Sequence, residues 1–533
     1  MDPAALQVLI ARLTGVAEEM GEVLRRAAFS PNIKERADCS AALFTADGEL
    51  LVQAEHIPVH LGSMPASVRA AIDHVGHERL QPGQHVILND PFAGGTHLND
   101  ITLVTPCVVD GTLVGWVANR AHHADVGGMA PGSMPPDAVE IDQEGLRISP
   151  VVLDDDVVAT LLAHSRTPDE RRGDLDAQIG ANVVGVERLA AFEDAPLAEV
   201  CAYGERRMRA AIAELPDGSW TFEDVIDSCG PDEEQQRPAR IVVTLTVAGD
   251  TVTFDFTGTD PQRRGNVNAV EAVTVSAAAF ALRSATDPTI PANGGALRPM
   301  RVVAPAGTIV AASPPAAVGA GNVEVSQRVA DVCLGALAQP APHMVGAASQ
   351  GTMNNVIIGG DGWVYYETLG GGQGGMDGVA GMSGVHTGMT NTVRSDYQSG
   401  APIPGQSGIH TGMTNTLNTP IEALQRVYPM RVRRYRLRRG SGGAGLAPGG
   451  EGIERDLEML EDCTVSLITE RRHSRPWGLA GGEPGAPGEN WLLPGGDEAH
   501  GERLLDKGTI RMRSGDVLRI LTPGGGGSGT PPR

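Results

Sequence analysis

The stretch that most constrains this chain is residues 101–122, ITLVTPCVVDGTLVGWVANRAH. Two apolar, β-branched runs flank Asp110-Gly111, the dipeptide of a two-residue hairpin turn. Such a loop sets residue 109 opposite residue 112, and every step outward keeps that register. Residue 99 then faces residue 122. His122 returns beside Asp100 and near His97, both in the preceding GGTHLND of residues 94–100. Directly opposed side chains lie roughly 5 Å apart at Cβ. His123 is expected on the opposite face if the strand runs on that far.

The hairpin therefore gathers His97, Asp100, His122, His123 and Asp125, from THLND and RAHHADVGG. Two imidazoles and a carboxylate suit a divalent cation with open coordination positions, and Zn, Fe, Co and Mn are equally compatible. Such an ion activates water or polarises a carbonyl. Histidine and aspartate are also common in turns and caps, and Asp100 could simply end a loop. Spacing alone leaves both readings open. Other chemistries lack their motifs. GGGQGG at 370–375 and LTPGGGGSG at 521–529 have neither the lysine nor the strand–helix frame of a phosphate-binding loop. They read as flexible backbone in turns or along a pocket. No GxSxG elbow occurs, and the six cysteines form no CxxC pair, which disfavours a zinc-thiolate site and a disulfide framework.

At 533 residues the chain is too long for one core. Its patterning predicts an α+β protein of several domains, with mixed helices, largely antiparallel sheets and long glycine-rich loops. A metal-bearing domain is expected over 1–215, a central α+β domain over 216–345, and a glycine-rich, mostly β domain over 346–533 that contributes loops to the site. Residues 4–28 carry one apolar stripe at helical spacing. CSAALFTADGELLVQA reads as two strands, and PASVRAAIDHV as a short helix with Pro65 in its first turn. Helices are expected near 168–192 and 195–214, strands on both sides of Gly249-Asp250, and helices in EAVTVSAAAFALRSA and EVSQRVADVCLGALA.

The net charge of −23 repels phosphate backbones and anionic lipid, so nucleic acid and membrane surfaces are poor partners. The basic run RVRRYRLRR at 431–439 reads as a solvated edge strand, with docking on an acidic partner or a phosphate as the alternative. MDPAALQVLIARLTGVAEEM lacks a basic start, and no run approaches the length of a membrane span, so a cytoplasmic chain is expected. GVHTGMTNT at 384–392 returns as GIHTGMTNT at 408–416, which reads as a tandem duplication in a tolerant loop or as two halves of one binding site.

Longer strings carry a resemblance. NDPFAGGTHLNDITLVTPCVVDG, RAHHADVGGMAPGSMP and EIDQEGLRISP are joined by RRGDLDAQIGAN, FDFTGTDPQRRGNVNA, GNVEVSQRVAD, HTGMTNTLNTPIEALQ and LTPGGGGSG. Over nearly its whole length the chain resembles the B-subunit family of ATP-dependent hydantoinases and 5-oxoprolinases, which also includes subunits of acetone carboxylase. The resemblance implies a hetero-oligomer with an A subunit of the sugar-kinase/actin type, which binds ATP and phosphorylates the substrate. The B subunit would hold one divalent ion and complete hydrolysis of a cyclic amide, a hydantoin or 5-oxoproline. The alternative is the metal-binding subunit of an ATP-dependent ketone carboxylase. The acetone carboxylase branch implies His97, Asp100 and His122 as ligands, and its HQWD stands where this chain has HHAD, so His123 is not matched. Asp125, Glu144, His410 and Asn415 are the residues assigned supporting or proton-transfer roles. The chain departs from the family at Asn99, where proline is common, and in the extra HTGMTNT copy. Only the second copy continues into NTPIEAL, so His410 rather than His386 carries over.

Overall fold

The computed structural model describes residues 1–54, 57–81, 83–287, 289–376, 407–410, 413 and 416–531. The first HTGMTNT copy, part of the second copy and Asn415 lie outside the described residues.

The fold is α+β, with mixed helices and mostly antiparallel sheets. The first sheet contains β1 (Cys39–Thr45), β2 (Leu50–Ala54), β3 (Val86–Leu88), β4 (Asp100–Val109), β5 (Thr112–His122) and β6 (Val151–Val152), in the order β2-β1-β5-β4-β3-β6. Helices cover both of its faces. On one side lie α1 (Pro3–Ala27), followed by the single turn α2 (Pro31–Lys34), and on the other α3 (His60–His74). Beyond α4 (Asp155–His164), α5 (Pro168–Leu189) joins the α1 side and α6 (Ala198–Ile212) follows. The alternation of β1 explains this double cover. Ala41 and Leu43 pack with Leu13, Met20 and Val117 under α1, whereas Ala42 and Phe44 pack with Val68 and Trp116 under α3. Both faces of the strand are apolar because both are buried.

The second sheet contains β7 (Gly218–Ile226), β8 (Ala239–Ala248), β9 (Thr251–Asp255) and β10 (Met300–Val303), with β10 parallel to β9. Between β9 and β10 come α7 (Glu271–Ser284) and the turn α8 (Gly294–Leu297), and α9 (Ser326–Leu337) follows β10. α7 and α9 share the largest core cluster with the buried side chains of β8 and β9. The remaining strands are β11 (Asn355–Gly360), β12 (Trp363–Glu367), β13 (Met430–Arg438, after α10 at Ile421–Val427), β14 (Gly452–Met459), β15 (Cys463–Ile468), β16 (Glu489–Leu493), β17 (Glu502–Arg503), β18 (Lys507–Met512) and β19 (Val517–Leu521). They form two sheets, β12-β11-β15-β18 and β13-β14-β19-β16-β17. A buried ionic chain ties these sheets to β7 and α9. Arg471 bridges Asp224 and Asp331 at 2.6 and 2.8 Å, Arg328 meets Asp331 at 3.0 Å and Glu470 at 3.3 Å, and Lys507 closes on Glu470.

Several expectations are refined. The hairpin register shifts by one residue, because a bulge between Cys107 and Val108 leaves Val114 unpaired and sets Asp100, not Asn99, opposite His122. The bulge lies beside Pro106, which has no N–H for the ladder, and beside Gly115, where a Cβ would sit 2.3 Å from the Phe44 carbonyl oxygen. α3 begins at His60, ahead of the expected start, so Pro65 is inside it and not in its first turn. The glycine-rich segments are packed rather than flexible. Gly372 lies where a Cβ would be 2.0 Å from Gly450 O, and Gly525 N donates to Gly450 O at 2.9 Å while Gly375 N donates to Gly526 O at 2.8 Å. Without side chains the backbones approach closely enough to bond one another. RVRRYRLRR does form an edge strand, β13. Its arginines pair with carboxylates: Arg433 with Glu458, Arg434 and Arg436 with Glu454, and Arg438 with Glu489.

Candidate metal centre

The loop that carries His97 is fixed by its own backbone chemistry. Asp90 caps a short turn by accepting from Phe92 N at 3.0 Å, and Gly95 N returns to Asp90 O at 2.9 Å. Gly94 adopts a left-handed φ of 92°, and a Cβ there would stand 2.5 Å from the Ala66 carbonyl oxygen of α3. The Ser67 hydroxyl donates to Gly94 O at 2.6 Å. Asn89 spans the loop, donating to Leu98 O and Leu146 O and accepting from Ile148 N. Asn99 uses its amide to donate to His123 O at 2.9 Å and Gly132 O at 3.0 Å. It thereby holds the outgoing end of β5 against the loop.

His97, Asp100 and His122 converge, each buried and each offering a donor atom within 4.8 Å of the others. Asp100 Oδ1 is 3.1 Å from His97 Nε2 and 3.4 Å from His122 Nδ1. The 3.1 Å contact lacks the angle of a hydrogen bond, and both nitrogens of His97, like His122 Nε2, have no hydrogen-bond partner. Buried imidazole nitrogens are rarely left so. Donors bound to one ion at about 2.0–2.2 Å sit roughly 3 to 3.5 Å from their neighbours, and the two distances from Asp100 to the imidazoles are of that size. The donor set and its orphaned nitrogens fit a divalent cation.

The surrounding residues hold this arrangement. Asp100 Oδ2 accepts from Thr96 Oγ1 at 2.6 Å and Asn322 Nδ2 at 3.3 Å, and His60 Nε2 lies 3.5 Å away. Burial works to raise the Asp100 carboxyl, but the nearness of His97, His122 and His60 outweighs it and holds the carboxyl well below its ordinary range. Burial pushes His60 down, and its Nδ1 is 2.7 Å from Ser40 Oγ. His122 stacks on Tyr366 with ring centres 4.8 Å apart, and its backbone N–H donates to Asp38 O at 3.0 Å. Asn322 belongs to a π-helical turn over Gly321–Val325 that leads into α9, a distortion frequent at functional sites. Asp38, Asp100 and His122 face Asn322, Tyr366 and Thr416 across a small cavity with about 20 Å³ of free volume, walled on its apolar side by Ile57, Val59, Val323 and Met353.

His123 points away from the triad, as its alternation requires, with Nε2 2.8 Å from Gln178 Oε1 of α5. Glu144 is buried behind His97. Its carboxylate accepts from Val318 N at 3.1 Å and Gly319 N at 2.8 Å, and burial pushes it up to about 7 against those amides and His97. Asp125 accepts from Gly127 N, Gly132 N and the backbone and side chain of Arg166, which engages both its oxygens in closing a loop. His410 bonds Asn418 Oδ1 at 3.2 Å, and burial lowers it to about 4. Neither Asp125 nor His410 joins the ligand cluster. Sequence reasoning missed Thr96, His60, Asn322, Asp38 and Tyr366. Thr96 lay in plain view inside GGTHLND, and the others reach the site only through tertiary packing.

Comparison with known proteins places the chain among relatives. The profile of the hydantoinase B/oxoprolinase family matches residues 2–398 and 399–531. The chain is 38% identical to 5-oxoprolinase 1 of Arabidopsis thaliana, over 99% of this chain and 42% of that one, so it spans about two fifths of that relative. A protein of Pseudomonas sp. (strain NS671), provisionally named as the B component of a D-/L-hydantoinase, is 31% identical over 100% of this chain and 90% of that one. Among solved structures, the ATP-dependent caprolactamase of Pseudomonas jessenii superposes with a TM-score of 0.85 at 26% identity, covering 100% of this chain and 91% of that one. A nucleotide-free acetone carboxylase shares the fold with a TM-score of 0.86 at 18% identity, covering 99% of this chain and 76% of that one. With its His-Asp-His triad set in a fold of this kind and a family profile matched from end to end, the chain belongs to the hydantoinase B/oxoprolinase family.

Proposed function

We propose that this chain is the metal-bearing B subunit of an ATP-dependent cyclic amide hydrolase, completing the ring opening of a substrate phosphorylated by an ATP-binding A subunit. The observation that carries this reading is the convergence of His97, Asp100 and His122, with both nitrogens of His97 and Nε2 of His122 unsatisfied. A divalent ion, when bound, supplies Lewis-acid polarisation of a carbonyl or phosphoryl oxygen and lowers the pKa of water.

The chain's own residues do the remaining work. Thr96 and Asn322 fix the Asp100 carboxylate, and Tyr366 fixes the ring of His122. The apolar wall of Ile57, Val59, Val323 and Met353 limits bulk water, which strengthens electrostatic contacts inside. His60 Nε2, oriented through Ser40, can take or return a proton beside the triad. Glu144, pushed up to about 7, can hold a proton at neutral pH. The shared fold of acetone carboxylase supports a second reading, ketone carboxylation on the same site. Hydrolysis is favoured because relatives with more than 30% identity carry oxoprolinase and hydantoinase names.

The test combines the chain with an A-type partner and ATP, then offers 5-oxoproline, a hydantoin, or acetone with labelled bicarbonate. Ring opening of a cyclic amide is expected, and label fixed into product would establish the carboxylase instead. Full activity after His97→Ala and His122→Ala would reduce the chain to a structural subunit.

A further inference from the structure

Arg36 is completely buried, yet no carboxylate among the described residues pairs with it. Its nitrogens go to neutral acceptors: Asn32 Oδ1 at 2.7 Å, Tyr366 O at 2.8 Å, Thr368 Oγ1 at 3.0 Å and Thr416 Oγ1 at 3.5 Å. Its Nε has no partner. The guanidinium also lies over the Tyr366 ring, 4.6 Å from the centre, and that ring stacks on His122. Burying a cation without a counter-ion is costly, and a ligand that brings the missing charge removes much of the cost.

The hydroxyls show where that ligand would sit. Thr368 Oγ1 and Thr416 Oγ1 are 2.6 Å apart, and both residues line the cavity beside the triad. Each hydroxyl owns one hydrogen. Both oxygens accept from Arg36, and the contact between them uses one of the two hydrogens. The second O–H has no acceptor among the described residues. A donor left over at a cavity wall, backed by a buried cation, calls for an acceptor with negative charge.

We propose that Arg36, acting through Thr368 and Thr416, forms an oxyanion-recognising wall in this cavity, so that the occupant presents a carboxylate or phosphoryl oxygen to the free threonine hydroxyl. This rests on the reading that the substrate's anionic end reaches the cavity, whose free volume of about 20 Å³ has room for an oxygen and not for a ring, and deepens it: the preferred substrate is a small cyclic amide that carries an anionic group, either its own carboxylate or a phosphoryl group added by the partner.

The test is calorimetric titration of the full chain, metal-loaded and chelator-stripped, with three probes: 5-oxoproline, its uncharged analogue 2-pyrrolidinone, and inorganic phosphate. At least one anionic probe should bind about tenfold or more tightly than 2-pyrrolidinone, as expected for a site with a donor built for it. Preference for 5-oxoproline identifies the carboxylate as the source, and preference for phosphate the phosphoryl group. Either hydroxyl can be the free donor, so the double variant Thr368→Val/Thr416→Val, close in shape, should weaken the anionic probe by about tenfold and narrow its advantage over 2-pyrrolidinone. Arg36→Lys should retain part of the preference that Arg36→Gln loses, and should Arg36→Gln fail to fold, the double threonine variant still decides. The preference should persist, though weaker, in the stripped chain. Equal binding of charged and neutral probes, no anion binding by the wild type, or anion binding that ignores the loss of both threonine hydroxyls would each overturn the proposal. Metal content of the same samples reports separately on the metal-centre reading, so the two can fail independently.

Discussion

Asp100→Asn keeps the shape of the central ligand and removes its charge. In the structure Oδ1 faces both imidazoles and Oδ2 accepts from Thr96 Oγ1 at 2.6 Å. An asparagine can keep its oxygen toward the imidazoles and turn its amide nitrogen to the Thr96 hydroxyl, and Asn322, which now donates to Oδ2, can turn its unpartnered oxygen to that nitrogen, so packing survives while the anion does not. Removing one charged partner from a buried pair costs about 3–5 kcal/mol. Because the oxygen is retained, the lower end applies, about 3 kcal/mol, or roughly a hundredfold in metal affinity. Competition against a chromophoric chelator, with metal analysis of the dialysed protein, measures this directly. A thermal melt in excess chelator checks that the fold is retained. An affinity within about threefold of wild type, on a folded variant, would refute the assignment of Asp100 as a ligand.

Other consequences concern the supports of the site. Burial, aided by the nearby Glu470, pushes the Glu324 carboxyl up to about 8 from 4.5. Between those values the folded chain keeps a proton that the unfolded chain has lost, so stability falls as pH rises through the window, by at most about 1.4 kcal/mol per pH unit. Glu324→Gln should remove that slope, gaining on the wild type in denaturant titrations from about pH 5.5 to about pH 7.5; a gain in the opposite direction would contradict the sign. Gly94→Ala meets both a left-handed φ and the Ala66 carbonyl, and should cost about 2–4 kcal/mol together with weaker metal binding; a variant of wild-type stability and metal content would show that the loop does not need the close approach. Gln178→Leu leaves His123 and Asn119 without their buried partner and should cost about 2–4 kcal/mol by chemical denaturation, at about 1–3 per orphaned group. A loss below about 0.5 kcal/mol would mean that these groups find other partners.

Much of the metal centre was legible in sequence because its three ligands come from one hairpin and the loop before it. Asp110-Gly111 announced the turn, and strand alternation alone turned His123 toward α5. The one-residue slip came from the bulge beside Pro106 and Gly115, and the Phe44 carbonyl that leaves no room for a side chain at Gly115 lies on a different strand. His60, Asn322, Tyr366 and Arg36 reach the centre from α3, the turn before α9, β12 and the segment after α2. No local periodicity connects those elements. The arginine-rich strand was readable as an edge, whereas its neutralisation by Glu454, Glu458 and Glu489 depends on strand partners that sequence spacing does not reveal. Glycine content announced loops, but only the close contact of three remote segments shows that they pack on each other.

The most direct test of the central claim is a crystal of the metal-loaded chain measured at the absorption edge of the bound metal. One anomalous peak within about 2.0–2.4 Å of donor atoms from His97, Asp100 and His122 is the result this account requires. A peak at another site, or these three side chains bonded to one another around no scatterer while the protein still binds its ion, would contradict it.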